Sequence, residues 1–316
     1  MYRIGIDLGG TNIAIGIVTD EGKLVKKKSV PTLAKERTGE EIVEVMVKES
    51  LSLIKEEGLK ENDIRSIGIG SPGVTDPANG VLVHTVNLPF LHTPFRKIFE
   101  KYTKIPMYLN NDANCAALGE IVSGGAAGYK NCVMITLGTG VGGGIIVDGK
   151  IVTGFNGAAG EVGHMVIHAG GELCNCGRRG CYERYASATA LIQFTRAAAE
   201  KHPESIINKL CEGDLNKISA KTPFEAKRAG DLVAAEIIEN YIHDLGDGIL
   251  NFMSIFQPEV ILVGGGVSYE GDYLFNPLRE YVIKNAFATE YIPQAKILPA
   301  TLGNDAGIIG AAMLDE

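Results

Sequence analysis

One pattern occurs twice in this chain, and it constrains the fold more than any other feature. The first copy is Ile6-Asp-Leu-Gly-Gly-Thr-Asn12, the apolar strand Ile13 to Val18, then Asp20-Glu-Gly-Lys-Leu-Val25. The second is Ile135-Thr-Leu-Gly-Thr-Gly-Val141, the apolar strand Gly144 to Val147, then Asp148-Gly-Lys-Ile-Val152. Both read strand, Gly/Thr turn, strand, turn, strand. Strand–glycine–strand patterns recur by chance in glycine-rich chains. A shared order over about two dozen residues points instead to duplication.

The elements around the copies fit an α/β chain. Leu24 to Val30 reads as a third strand. Thr38 with Glu41 forms a capping box, with Ile42, Val45, Met46 and Ile54 at helical spacing and Gly58 as the stop. Ile64 to Ile69 is a buried strand ending in Gly70-Ser-Pro-Gly73. Helices are expected from Tyr185 to Lys201 and from Gly230 to Phe256, the second stopped by Pro258. Val260 to Val263 is a strand running into Gly264-Gly-Gly266. Asp305 to Leu314 is a helix of small residues. With 316 residues, 45% of them hydrophobic, two domains are expected. Their boundaries are 1–112 with 303–316, a small N-terminal α/β domain, and 113–302, a larger one carrying all six cysteines.

The formal charge of -8 argues against a nucleic-acid surface, which needs a basic face. No apolar run is long enough to span a bilayer, and no secretory leader precedes Ile4, so no membrane partner and a cytoplasmic, reducing location are expected. There the six cysteines are poor disulfide candidates. Cys115, Cys132 and Cys211 are scattered and read as small buried hydrophobes.

The glycine turns are candidate phosphate sites. Glycines leave backbone N–H groups open to an anion, and a Thr hydroxyl adds a donor. Gly9-Gly10-Thr11-Asn12 and Gly138-Thr139-Gly140 could hold a polyphosphate from two sides. Asp7 either faces a Mg²⁺ carried by those phosphates or bonds its own turn. Gly138 to Gly143 also satisfies G-x-G-x-x-G, but a strand follows where a dinucleotide site needs a helix. No P-loop motif is present. Gly264-Gly265-Gly266 reads either as a flat surface for a nucleotide or as a turn. Asp112, in Asn110-Asn111-Asp112, suits two roles: the N-cap of the following helix, and a general base taking a proton from an alcohol.

The third chemical segment is Glu161-Val-Gly-His164 followed by Cys174-Asn-Cys176-Gly-Arg-Arg-Gly-Cys181-Tyr-Glu183. Three thiolates and an imidazole make a closed tetrahedral set for a structural Zn²⁺. A redox dithiol is the rival, but a Cys-x-Cys pair is poorly placed for an unstrained disulfide. Arg178 and Arg179 either offset the thiolate charge or are solvated. Glu161 and Glu183 stand beside the ligands with no metal to bind, which suits sugar hydroxyls. Asn87 and Gly73 lie on loops that could complete a polar pocket.

Together these motifs resemble the ROK family of repressors and sugar kinases, and most closely its bacterial glucokinases. The resemblance runs over essentially the whole chain. It rests on Asp7-Leu-Gly-Gly-Thr11, Asn111-Asp112, Leu137-Gly-Thr-Gly-Val-Gly-Gly-Gly144, Glu161-x-x-His164, the Cys174/Cys176/Cys181/Glu183 signature and Gly264-Gly-Gly266. It implies an actin-like ATPase fold of the duplicated ribonuclease H-like type, two α/β domains around a central cleft. It implies ATP-dependent phosphorylation of glucose at the 6-hydroxyl, with Asp112 as the base. Gly73, Asn87, Asn111, Glu161, His164 and Glu183 would then hold the sugar, and His164 would also ligate zinc. Asp7, Gly9, Gly10, Thr11, Asn12, Gly138, Thr139, Gly140, Gly265 and Gly266 would serve ATP and Mg²⁺. A homodimer or homotetramer is expected. The rival substrates are fructose, mannose and N-acetylhexosamines, and polyphosphate is a rival donor. A sugar-sensing repressor would need a DNA-binding segment before the first strand, and none is expected here.

Overall fold

The computed structural model describes residues 1–315. The strands are, in chain order, β1 (Tyr2–Leu8), β2 (Asn12–Thr19), β3 (Leu24–Pro31), β4 (Ile64–Ser71), β5 (Val74–Asp76), β6 (Val81–His84), β7 (Leu91–Thr93), β8 (Met107–Asn111), β9 (Cys132–Leu137), β10 (Val141–Val147), β11 (Lys150–Ile151), β12 (Val260–Gly265) and β13 (Lys296–Pro299). They form two five-stranded sheets, ordered β3-β2-β1-β4-β8 and β11-β10-β9-β12-β13, and a three-stranded sheet β5-β6-β7.

The two large sheets have the same plan. In the first, β1, β2 and β3 form an antiparallel meander, and β4 and β8 add in parallel to β1. In the second, β10 and β11 are antiparallel and β12 and β13 are parallel. The repeat expected from two turns thus extends to the strand order of both sheets, as duplication requires.

The chain divides into two compact units. One comprises Met1–Cys132, Gly144–Gly160 and Thr301–Glu316, and the other Val133–Gly143 and Glu161–Ala300. The first unit reaches past the expected boundary at residue 112. The helix Asp112–Ser123 belongs to it because Gly119 and Gly310 allow close backbone approach to the helix Ala306–Ala312. A Cβ on Gly119 would stand 2.3 Å from the Ala306 carbonyl oxygen, and one on Gly310 1.6 Å from that of Cys115. Those contacts are far apart in sequence, so composition could not place the boundary.

Local chemistry sets the remaining elements. The helix Gly39–Glu56 starts at the expected capping box, with Thr38 and Glu41 bonded reciprocally. Its face of Ile42, Val43, Met46, Val47, Leu53 and Ile54 is buried in the core of the first sheet. The C-terminal helix also lies against that sheet, where a Cβ on Gly5 would come 1.8 Å from the Ile308 carbonyl oxygen. In the second unit a break at Ser187 divides the expected Tyr185–Lys201 helix, because the Ser187 side chain caps Ala188–Lys201 as a new start. The helix Leu232–Phe256 begins at its Asp231 cap and ends at Gln257, before Pro258. Among the described residues no helix is long and apolar enough to cross a membrane.

Candidate functional site

The first unit gathers its candidate residues at the C-terminal ends of β1, β4 and β8. The turn after β1 is closed by the Gly9 N–H donating to the Asn12 carbonyl at 2.9 Å. Thr32 ties it from the side, its hydroxyl donating to the Gly9 carbonyl at 2.8 Å. The N–H groups of Gly10 and Thr11 have no acceptor among the described residues. Gly10, Thr11 and Asn12 are exposed. This is the open donor set that an anion requires.

Asp7 ends β1 with its carboxylate over Gly307, where a Cβ would come within 2.9 Å of it. Burial raises its pKa to about 6, and the nearby charge of Asp112 adds to the rise. Asp112 is also raised by burial, against the hydrogen bonds it accepts from Ala113 and from Asn111. Two partly buried carboxylates that repel each other form a natural seat for a cation.

Asn111, not Asp112, caps the helix. The Asn111 side chain accepts from Ala113 N at 2.9 Å and Asn114 N at 3.3 Å. Asp112 is therefore the first helical residue, and its Oδ1 accepts from Ala113 N at 2.9 Å. This corrects the sequence reading of Asp112 as the cap, and it leaves that carboxylate freer to take a proton. Asn111 Nδ2 also reaches the Gly73 carbonyl at 3.4 Å, bringing those two candidates together. Gly73 has φ +90°, and a Cβ there would meet the His84 carbonyl oxygen at 2.2 Å, so the turn needs glycine. Asn87 is exposed on its loop and bonded to none of the others. Beneath the turn, Asn110 and Asn114 form a buried amide pair at 3.1 Å that the sequence reading passed over. Its signal was an Asn at i and i+4 across a helix start.

The second unit repeats the turn with different company. Gly138 N–H donates to the Gly140 carbonyl at 3.0 Å, and the Gly138 carbonyl accepts from Ala188 N at 2.9 Å. The N–H groups of Thr139 and Gly140 have no acceptor among the described residues. Gly265, at φ +85°, packs so tightly on β9 that a Cβ would stand 2.4 Å from the Leu137 carbonyl oxygen. Gly138, Thr139, Gly140, Glu161, His164, Glu183 and Gly265 line one pocket of about 340 Å³. Gly266 begins the next short helix and lies outside that lining.

The cysteine loop forms the floor of this half. One ligand atom from each of His164, Cys174, Cys176 and Cys181 lies within 4.8 Å of the others. Cys176 and Cys181 sulfurs are 3.6 Å apart, and Cys174 Sγ lies 3.6 Å from His164 Nδ1. A tetrahedral zinc with bonds of about 2.3 Å to sulfur spaces its ligands by roughly 3.8 Å, so the set fits a structural Zn²⁺. Burial pushes the Cys174 thiol up to about 12 and raises Cys181, while the Arg178 N–H lowers Cys176. Without a cation the two buried thiols stay protonated, which is the linkage expected of a metal ligand. Arg178 and Arg179 donate to the carbonyls of His164 and Gly171, at 3.3 and 3.2 Å. They brace the loop backbone instead of lying free in solvent.

Glu183 connects the loop to the turn. Its Oε1 lies 3.2 Å from Cys174 Sγ and 3.9 Å from His164 Nδ1. Its Oε2 lies only 2.5 Å from where a Cβ on Gly140 would be. His164 turns Nδ1 toward the thiols, which leaves Nε2 for another partner. His168, which the sequence reading did not single out, pairs with Asp244 at 2.6 Å and anchors the loop to the helix Leu232–Phe256.

The ROK family model matches residues 3–316. The chain belongs to the ROK family. It is 38% identical to the glucokinase of Thermotoga maritima, over 98% of this chain and 96% of that one. It superposes with a TM-score of 0.78 and 35% identity on a ROK family glucokinase from Streptomyces griseus, solved with glucose and AMPPNP, covering 99% and 98% of the two chains. It is 29% identical to the xylose repressor of Caldicellulosiruptor bescii, over 97% of this chain and 76% of that one. The fold is therefore the actin-like ATPase fold that the paired sheets suggested.

Proposed function

We propose that this ROK protein is an ATP-dependent glucokinase, transferring the γ-phosphoryl group of MgATP to the 6-hydroxyl of glucose. One observation carries the reading. An open glycine turn and three polar side chains beside a metal clip, Glu161, His164 and Glu183, line the same pocket. The turn suits a phosphate, and fixed carboxylates suit sugar hydroxyls. The likeness to glucokinases over nearly the full length supports it.

On this reading each residue has a task. Asp112 accepts the proton of the 6-hydroxyl as that oxygen attacks phosphorus, and Asn111 holds a neighbouring hydroxyl. Glu161, Glu183 and His164 Nε2 bond the remaining hydroxyls, and Gly73 keeps the backbone clear. Asn87 contributes only if its loop turns toward the sugar. Asp7 would face the Mg²⁺ of MgATP, whose charge would offset that building on the phosphates. Gly9, Gly10, Thr11, Asn12, Gly138, Thr139 and Gly140 supply N–H and hydroxyl donors, and Gly265 and Gly266 a flat surface for the nucleoside. His164, Cys174, Cys176 and Cys181 would hold a structural Zn²⁺, which would fix their positions without taking part in proton transfer. We further propose a cytoplasmic homodimer or homotetramer that engages neither nucleic acid nor membrane.

A panel of hexoses in a coupled ADP-release assay tests the reading. Glucose should give the highest kcat/KM, above fructose, mannose and N-acetylhexosamines. Failure of every hexose would overturn it. The likeness to a xylose repressor favours one second reading, sugar sensing without phosphoryl transfer. Sugar binding with no ADP release would select it.

A further inference from the structure

A second polar pocket lies at the other end of the first sheet. It measures about 270 Å³ and is lined by Arg3, Arg65, Ser66, Tyr108 and Asp315. Arg3 is four residues from Asp7 along β1, about 13 Å at the rise of a strand. The pocket is thus separate from the glycine turn.

Its construction is specific. Tyr2 pairs with Ile64 and Ile4 with Ile67, so one residue of β1, Arg3, faces two of β4, Arg65 and Ser66. That is a β-bulge, a device that re-aims side chains. Arg3 is 5% exposed and Ser66 2%. Arg3 Nε donates to Asp20 Oδ1 at 3.0 Å, and its two terminal nitrogens have no partner among the described residues. The Ser66 hydroxyl is buried and has no partner either. Asp20 also takes the Met1 amino group at 3.3 Å and Arg65 Nη1 at 3.8 Å, so one carboxylate serves three cations.

Leaving the buried Ser66 hydroxyl unmet is costly, and a ligand with several acceptors would meet it together with the open terminal nitrogens of Arg3. Two guanidinium groups and two hydroxyls are donors matched to a tetrahedral oxyanion. Tyr108 and Asp315 also line a neighbouring pocket of about 750 Å³, which offers room for an organic portion. We propose that Arg3, Arg65, Ser66 and Tyr108 bind a phosphate group, free or as a small phosphomonoester. Asp315 is the acid that the bound phosphate must outcompete.

The test is calorimetric titration of the glucose-saturated full chain with inorganic phosphate and, separately, with glycerol phosphate. Arg65→Gln and Ser66→Ala should each weaken binding at this site tenfold or more while glucose phosphorylation is unchanged. Tighter binding of the ester would identify an organic ligand, and equal binding free phosphate. In phosphate-free buffer Ser66→Ala should melt no lower than the parent, because its hydroxyl has no bond to lose. Phosphate affinities unchanged in both variants would overturn the assignment. So would a lowered melting point of Ser66→Ala.

Discussion

The turns at Gly9–Asn12 and Gly138–Gly140 share a backbone design and differ in what surrounds it. Each is closed by its first glycine N–H and leaves the next two N–H groups open. Asp7 precedes the first turn, and Thr136 stands at the matching place before the second. Beside the first are two carboxylates pushed toward protonation. Beside the second are a carboxylate and an imidazole fixed by a metal clip. Duplication supplied two phosphate-sized cradles, and later substitution divided the work. On the proposed function both cradles serve ATP, the acid–base carboxylates stand beside the first, and the sugar ligands Glu161, His164 and Glu183 stand beside the second.

Removing the base should break that division most severely. Asp112→Asn keeps the shape and the Ala113 contact but cannot accept a proton. A fall in kcat of about two to four powers of ten is expected, with glucose affinity within a few-fold of the parent. Steady-state kinetics with a separate glucose titration check this, and near-normal turnover would remove Asp112 from the chemistry. Burial raises the pKa of this carboxylate, so the acid limb of the kcat profile should also lie above the ordinary aspartate range.

Asp7 marks the difference between the copies by its pKa. Its folded value of about 6 exceeds the ordinary 3.8, so the folded state binds its proton more tightly. The resulting stability is fully present below pH 3.8 and is lost as pH rises through 6. At full extent it amounts to roughly 3 kcal/mol. Urea denaturation in metal-free buffer should therefore show Asp7→Asn gaining on the parent between pH 4 and pH 7. Parallel curves would show that Asp7 is not held in a desolvated seat. Mg²⁺ with nucleotide should reverse the trend by stabilising the carboxylate.

The second copy depends on its clip. Cys176→Ala, or zinc chelation, should raise the glucose KM by about ten- to a hundredfold, because the ligands orient Glu183 and His164. The fall in kcat should be much smaller than for Asp112→Asn. An unchanged KM would separate the clip from sugar binding.

The clip was readable in the sequence because its ligands lie within one short stretch, where spacing alone limits the chemistry. The repeat was readable because strand and turn chemistry is local, and its extension to whole sheets followed. Long-range features were not readable. Asn111 and Asp112 are equally good caps by residue type, and only backbone geometry selects Asn111. The Asp112–Ser123 helix joins the first unit through glycine contacts with residues near the C terminus. The pKa of Asp7 depends on burial, and the bulge at Arg65–Ser66 on strand register. Neither is carried by a motif.

The smallest effect gives the sharpest comparison, since it sets one glycine of each turn against the other. A Cβ on Gly10 meets no atom within 4 Å, whereas one on Gly140 would stand 2.5 Å from Glu183 Oε2. Neither residue has a positive φ, so alanine strains neither backbone. Gly140→Ala must displace the Glu183 carboxylate, and the glucose KM should rise by about tenfold, the scale of one polar contact to a sugar hydroxyl. Gly10→Ala should leave the glucose KM alone and act only on ATP, to the extent that a methyl group crowds the phosphates. Melting temperatures should stay near the parent in both. If both variants altered glucose and ATP alike, the two turns would share one role, and the division drawn between them would fail.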